Sequence, residues 1–562
     1  MKRLFNKIKG FFVKYKYELL VFVFFVLIRS PGLGHDNFNT DVWRWKARSY
    51  DFGEALSSGQ FENTLQMYHP GVTLMWISGA GVKINNVYSS LINQSLSADE
   101  NVNVIFQLDF IQKFLIVCVI GFVLSLTFYV LRNIFGLKYA LVSTFLLSFE
   151  PFYLALTRVI HLEGLVSTFM LASIVWLYYY FLNDKNYKRL VMSGLFAGLA
   201  ILTKTSALFL VPFFGLSTAL FIIRKRKENE GNSEGGKGLG KSVLVFLKTT
   251  SIWFGVLAST FFAFWPALWV NPAVVFQTLY EGIATIGVEG DHIQYYFGKL
   301  VVNPGPSFYF VVLAFRSSIY LLIGFIGSLI VRKRLPEDLR KFMDFLLVFV
   351  FFYFIQLTIP SKKLDRYILP ELVVMSLVSS MFFVWLFEKL KFGKVKIVLF
   401  IIPAILTALY LHPEYMSYYN PMFGGIKIGV KVLEPKWLIG TSNLVDYFKI
   451  KLEKDGLKPS YNTSFEELVY VRRGRDLVPL LTVAFREKYF TQIYPFFREF
   501  GAWPVIESLA PFAERTKFFV YPVWDDTAAT DTKYGLKYID TVSLRGAPLY
   551  NIYWNETIVT NK

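Results

Sequence analysis

A single cysteine, Cys118, in 562 residues excludes an intramolecular disulfide and any zinc site built on paired thiolates. It lies inside an apolar run and reads as a buried thiol. The chain also lacks a Walker loop, a dinucleotide-binding glycine fingerprint, an HExxH helix and a nucleophile elbow, so nucleotide-driven, zinc-protease and serine-hydrolase chemistries have no support. No internal repeat is visible, which weakens a transporter built from repeated halves. Acidic residues are few beside basic ones, giving a formal charge of +18, yet the Lys and Arg gather at alternate ends of apolar runs rather than on one face. That placement follows membrane topology and gives no reason to invoke a nucleic-acid partner.

What the chain has in abundance is apolar surface: 54% hydrophobic and 18% aromatic residues. So much exceeds what an ordinary water-soluble fold buries. Runs of roughly 18 residues or more, long enough to cross a hydrocarbon core of about 30 Å as helices, recur near 18–30, 111–131, 139–155, 162–182, 189–203, 205–223, 247–268, 307–331, 342–359, 367–387 and 395–411. The expected fold is therefore an α-helical polytopic membrane protein of about eleven spans. Lys2, Arg3, Lys7, Lys9, Lys14 and Lys16 precede the first run, which has no convincing cleavage site and reads as a retained anchor with a cytoplasmic N-terminus. The basic connections 132–138, 185–189, 224–248, 332–341 and 389–396 then all fall in the cytoplasm, and an odd number of spans puts the C-terminus outside.

Two units are expected. Residues 1–412 form the membrane module, with long outer loops at 31–110 and 269–306 and a flexible, Gly-rich cytoplasmic linker at 225–241. Residues 413–562 form a small extracytoplasmic α/β domain, in which KFFVYPVW and the pair YIDTVSL and PLYNIYW read as strands, and SNLVDYFKIKLEK and VPLLTVAFREKYFTQIYPFFREF as helices.

Chemistry-bearing residues collect on the outer side. The first outer loop opens with His35, Asp36 and Asp41, continues through the helix-like WRWKARSYDFGEAL and reaches Tyr68-His69-Pro70-Gly71. A carboxylate at the membrane face is suited to take a proton from an attacking hydroxyl or amine. The plainer reading of Asp41 is a helix N-cap, and of His69 a packed His-Pro helix end, with metal binding a minority option. The second outer loop, PFYLALTRVIHLEG, sets Arg158, His161 and Glu163 close together; they serve a water-filled cavity or simply anchor and pair at the interface. Lys204 breaks two apolar runs, and SKKLDRYILP gathers Lys362, Lys363 and Arg366. Such a set suits a phosphate whose charge develops as it leaves, or else interfacial anchoring.

In their order and spacing these elements resemble the GT-C membrane glycosyltransferases, in particular the protein O-mannosyltransferase-like and aminoarabinose-transferase-like group that uses polyprenyl-phosphate sugars. The matching elements are Asp41 after the first span, its helix, His69-Pro70, the TRVIHLEG loop, GLAILTKTSALFLVP, SKKLDRYILP and HPEYMSYYNPMFGG. The resemblance implies Asp41 as catalytic base and Glu163 as a second acidic site residue. It implies substrate-binding residues among Asp36, His69, Arg158, His161, Lys204, Lys362, Lys363 and Arg366, the basic ones as candidate donor-phosphate ligands. The family carries an Asp-Glu pair where this chain has Asp41-Val42, so Asp36 stays open as the base, and it carries an Asp where this chain has Glu163. The implied activity is inverting transfer of a hexosyl or pentosyl group from a lipid phosphate to a protein, glycan or lipid acceptor in the cell envelope. No cofactor is required by this reading, and a divalent metal is not excluded by it. The rival readings are a transporter or flippase of a lipid-linked saccharide and a membrane scaffold whose outer domain binds partners.

Overall fold

The computed structural model describes residues 9–557 except 11, 98–100, 231–237, 287–292, 392, 458, 460, 462–480, 510–515 and 529–533. Each of the expected apolar runs falls on a helix. Among the described residues six helices are long and apolar enough to cross a membrane, and a seventh candidate is the pair Phe308–Arg316 and Ile319–Arg334, bent by 115°. The remaining runs lie on shorter helices, Lys16–Arg29, Tyr187–Thr203 and Ile397–Leu411. The protein is a multi-pass, mostly helical membrane protein carrying a small C-terminal α/β domain.

Local chemistry sets the breaks. Asn103–Phe149 is continuous for 47 residues except at Gly136, whose φ of 84° and ψ of 172° only glycine adopts easily, so two of the expected runs meet there at the basic 132–138 connection. Pro151 then starts the short Pro151–Leu156 helix, filling a first-turn position where a missing N–H costs nothing. The expected linker at 225–241 is helical at both described ends, because the helices Leu210–Glu230 and Gly238–Phe264 run into it; its centre, 231–237, lies outside the described residues.

Helices pack closely where small residues recur. Gly194 and Gly198, four apart on Tyr187–Thr203, face Gly238–Phe264: a Cβ on Gly194 would lie 2.8 Å from the Trp253 carbonyl oxygen, and one on Gly198 2.7 Å from Thr260 Cβ. This is the small-xxx-small contact that lets two membrane helices approach through van der Waals packing.

The first long loop folds into two helices, Val42–Ser58 and Val72–Leu91, before the chain re-enters the bundle. The second long loop forms the helix Pro272–Glu281 and a hairpin of strands β1 (Gln294–Tyr296) and β2 (Lys299–Val301). The C-terminal sheet contains β3 (Thr482–Phe485), β4 (Trp503–Ile506), β5 (Phe518–Pro522), β6 (Leu536–Leu544) and β7 (Ala547–Asn555), in the order β4-β3-β5-β7-β6. The first three are parallel, and β6 and β7 are joined through Arg545 and Gly546, both at positive φ as a tight hairpin turn demands. One expectation is corrected here. VPLLTVAFREKYFTQIYPFFREF is not all helix, since β3 precedes the Glu487–Glu499 helix: a fully buried parallel strand is apolar on both faces and lacks the alternation that would betray it.

The close contact at Gly198 sets a test. Gly198→Leu should lower stability by about 1–3 kcal/mol, the usual cost of overpacking, read as a fall in melting temperature of the purified protein in detergent; unchanged melting would show that the two helices do not meet here.

Candidate functional site

The chain leaves the bundle at Arg29 and is pinned at once. Asp36 is buried and its carboxylate takes Lys113 Nζ at 2.6 Å and Arg158 Nη2 at 3.2 Å. Lys113 also meets Asp109 at 2.6 Å, and Asp109 meets Lys46 at 3.0 Å. The segment ahead of Val42–Ser58 and the body of that helix are thus both held to the long helix carrying Asp109 and Lys113. Asp41 lies between the two clamps.

Asp41 occupies the N-cap position but makes no capping hydrogen bond, so its side chain is left for the cavity. Its backbone N–H donates to Asn39 Oδ1 at 2.9 Å, while Asn39 Nδ2 donates to the Ile160 carbonyl at 3.2 Å. One amide therefore ties the Asp41 turn to the residue before His161.

The charged groups then close a ring. Asp41 Oδ2 lies 3.5 Å from His161 Nε2, and His161 Nδ1 meets Glu163 Oε2. Glu163 Oε1 accepts from Lys204 Nζ at 2.8 Å and lies 3.5 Å from Arg366 Nε, while Arg366 Nη2 returns to Asp41 at 3.9 Å. Trp437 stands edge-on to His161 at 5.2 Å and beneath Arg366 at 5.4 Å; Lys204 lies 4.0 Å over Tyr367. Burial alone would raise the Asp41 carboxyl, but His161, Arg366 and Arg44 hold it down at about 2. Burial works against a charged His161, and Glu163 and Asp41 overcome it, raising its pKa above 6.5. His69, by contrast, is pushed down to about 3 by burial and Lys204, and so stands neutral.

This ring opens on a cavity of ≈ 1000 Å³ lined by Asp41, His69, His161, Glu163, Lys204, Lys362 and Arg366. A second cavity of ≈ 470 Å³ shares His69, Glu163, Lys204, Lys362, Arg366 and Tyr367 with it, and is otherwise mainly apolar, with Val166, Leu208, Phe209, Pro212 and Leu357 in its walls. Three cations thus sit where a polar chamber meets an apolar groove, a place suited to the phosphate of a long-chain lipid. Among the described residues no group of three His, Cys, Asp or Glu side chains is placed to hold a metal ion.

Three expected residues stand elsewhere. Asp36 and Arg158 do not line the cavity: Arg158 donates to Asp36, to the Arg29 carbonyl at 2.6 Å and to the Pro31 carbonyl at 2.8 Å, so its fork is occupied in holding the loop. It does not pair with Glu163. The Lys113 and Arg158 charges outweigh burial and lower the Asp36 pKa, leaving a fixed counter-ion rather than a base open to substrate. Lys363 is also buried, its ammonium turned to the Thr358 and Pro360 carbonyls and its N–H to Gln294 Oε1 at 2.8 Å.

Sequence reading missed Asn39, Asp109, Lys113 and Trp437, and the cavity wall contributed by Lys436, Arg486, Lys488 and Asp525. Asp109 and Lys113, an acid and a base four apart at the start of an apolar helix, were a readable signal. Trp437 had none.

Residues 102–253 match the family described as dolichyl-phosphate-mannose-protein mannosyltransferase. That segment is similar to those enzymes. The match supports the resemblance to the GT-C membrane glycosyltransferases drawn from the loops. Among solved structures, ArnT from Cupriavidus metallidurans in the apo state is similar at 14% identity and a TM-score of 0.42, over 98% of this chain and 99% of that one. ArnT bound to undecaprenyl phosphate gives 13% and 0.41 over the same shares. The Archaeoglobus fulgidus oligosaccharyltransferase tethered with an acceptor peptide gives 12% and 0.40, over 91% of this chain and 70% of that one. Likeness at this level is faint, and no residue role rests on it. No curated protein sequence is significantly similar to the chain.

The charge on His161 sets a pH test. A group whose pKa is raised in the folded state adds stability that is complete below its unfolded value of 6.5 and is lost as pH rises through the folded value. The gap in melting temperature between the wild type and His161→Gln should be widest below pH 6.5 and narrow in alkali; a gap that widens with pH would contradict a cationic His161.

Proposed function

We propose that the chain is a membrane glycosyltransferase that moves a sugar from a polyprenyl phosphate to an acceptor at the outer face. The observation that carries this reading is the position of Lys204, Lys362 and Arg366, shared between the polar cavity and the apolar groove and flanked by the Asp41–His161–Glu163 chain. The groove takes the first part of the lipid chain, the cations take the phosphate, and the sugar projects into the larger chamber toward Asp41.

In the step proposed, an acceptor hydroxyl or amine attacks the anomeric carbon. The bond from that carbon to the phosphate oxygen breaks, and the lipid phosphate leaves with the electron pair. Its developing charge is met by fixed ammonium and guanidinium groups, which stabilise the transition state beyond the ground state. Asp41, ionised because its pKa is held low, accepts the acceptor's proton. A carboxylate this weak as a base takes the proton late, once bond formation has made the attacking atom acidic. Direct displacement inverts the anomeric centre. Glu163 keeps His161, Lys204 and Arg366 in register, and neutral His69 borders the phosphate position.

The sugar is a hexosyl or pentosyl group in this reading, and the acceptor a protein, glycan or lipid. The N-terminus lies in the cytoplasm and the segment from 413 outside, where Arg486, Lys488 and Asp525 give the cavity an outer wall against which an acceptor docks. No cofactor is invoked.

Label should pass from a polyprenyl-phosphate sugar into a new covalent product with wild-type protein, and Asp41→Asn should reduce that transfer by about 10²–10⁴-fold, the usual worth of a general base, with expression unchanged. Asn39→Ala should lower kcat while leaving KM for the donor near wild type, because it loosens the base without touching the lipid groove. Transfer by Asp41→Asn at the wild-type rate would remove Asp41 from the reaction. Binding of the donor with no covalent product from wild type would favour the transport reading instead.

A further inference from the structure

A third cavity lies at the other end of the bundle and takes no part in the proposed reaction. The Leu162–Phe181 helix places Glu163 in the chamber described above and Tyr178 and Phe181 in this cavity. Some 15–18 residues separate them, or about 25 Å along a helix. The helix Leu210–Glu230 runs the same way, from the apolar groove at Pro212 to Arg224 and Lys225 at the far cavity. The two sites therefore open at opposite faces of the membrane.

This cavity has a volume of ≈ 520 Å³ and sits between three helices. Its walls are Phe181, Leu220, Phe221, Phe345 and Val348, which suit a hydrocarbon chain. Its mouth carries Arg224, Lys225 and Lys341 with Asp184 and Asp344. The carboxylates are already matched: Asp184 takes Lys225 at 2.6 Å, and Asp344 is gripped by Arg332 through Nε at 2.8 Å and Nη2 at 2.6 Å. Lys341 meets Glu337 at 2.6 Å, an exposed pair that water screens and that is worth little. The flanking sequence adds more cations than acids, RKRK at 224–227 and RKR at 332–334 against Glu228, Glu230, Glu337 and Asp338. The mouth is thus electropositive where the walls are apolar.

We propose that this cavity binds one anionic phospholipid, with an acyl chain against Phe181, Leu220, Phe221 and Phe345 and its phosphate at Arg224, Lys225 and Lys341. Basic pockets between membrane helices at the interface hold such head groups, each cation adding favourable attraction near the surface. Cations at helix ends also reach the interface without binding any particular lipid. The difference between the two lies in the cavity: a bound lipid needs the space as well as the charge.

The test uses the full chain purified in neutral detergent and offered equal amounts of dioleoyl phosphatidylglycerol and dioleoyl phosphatidylcholine, with retained lipid read by native mass spectrometry. Wild type should keep one phosphatidylglycerol in preference. Replacing Arg224, Lys225 and Lys341 by Gln should weaken that preference by about fivefold per cation removed. Ser217→Trp, which fills the cavity and leaves every cation in place, should also lose the retained lipid while the protein stays monodisperse in size-exclusion chromatography. Equal retention of both lipids by wild type, or an undiminished preference in Ser217→Trp, would overturn the proposal.

Discussion

Pairing of buried charge is the constraint on which this structure depends. A chain with 54% hydrophobic residues carries Asp36, Lys46, Asp109, Lys113 and Arg158 in its interior, and each would be prohibitively costly there alone. Arranged as a chain of alternating sign they become tolerable, and removing one member strands the others. What the chain of charges accomplishes is positional. It holds the loop that follows Arg29 against the long Asn103–Phe149 helix and, through Arg158, against the loop that carries His161. The two loops that carry Asp41 and Glu163 are then fixed relative to one another before any substrate arrives, as a preorganised site requires.

The ring of Asp41, His161, Glu163, Lys204 and Arg366 is built on that base but differs from it in one respect. Its members face a cavity. Asp41 is only partly covered, and Lys204 and Arg366 are shared with an apolar groove, so charges that balance each other also border open space. Trp437, between the helices Gly425–Val432 and Thr441–Lys454, closes the ring against His161 and Arg366, and Trp43 Nε1 donates to the Thr491 carbonyl at 2.6 Å, tying the C-terminal domain to the helix that follows Asp41. The membrane part and the C-terminal domain meet around one chamber.

Much of this was legible in the sequence, for physical reasons. Hydropathy marks spans because a lipid environment leaves the backbone no partner but itself, and the ends of the apolar runs grouped Asp41, His69, His161, Glu163, Lys204, Lys362 and Arg366 on one side. Whether a charge at such an end faces a cavity or another charge depends on partners far away in the chain. Asp36 meets Arg158 122 residues on, and Lys363 turns its ammonium onto nearby carbonyls, so neither could be told from Asp41 or Lys362 by type or position. Asn39 was invisible because its part is played through the backbone. The buried strand Thr482–Phe485 read as helix because its apolar run has no period of its own.

The proposed reaction requires the lipid phosphate to sit at the junction of groove and chamber. A structure of the purified chain with a bound polyprenyl phosphate should show the phosphate within hydrogen-bonding reach of Lys204, Lys362 and Arg366, with the first isoprene units along Val166, Phe209 and Pro212. A phosphate resting instead against Arg486 and Lys488 at the outer wall, with that groove empty, would contradict it.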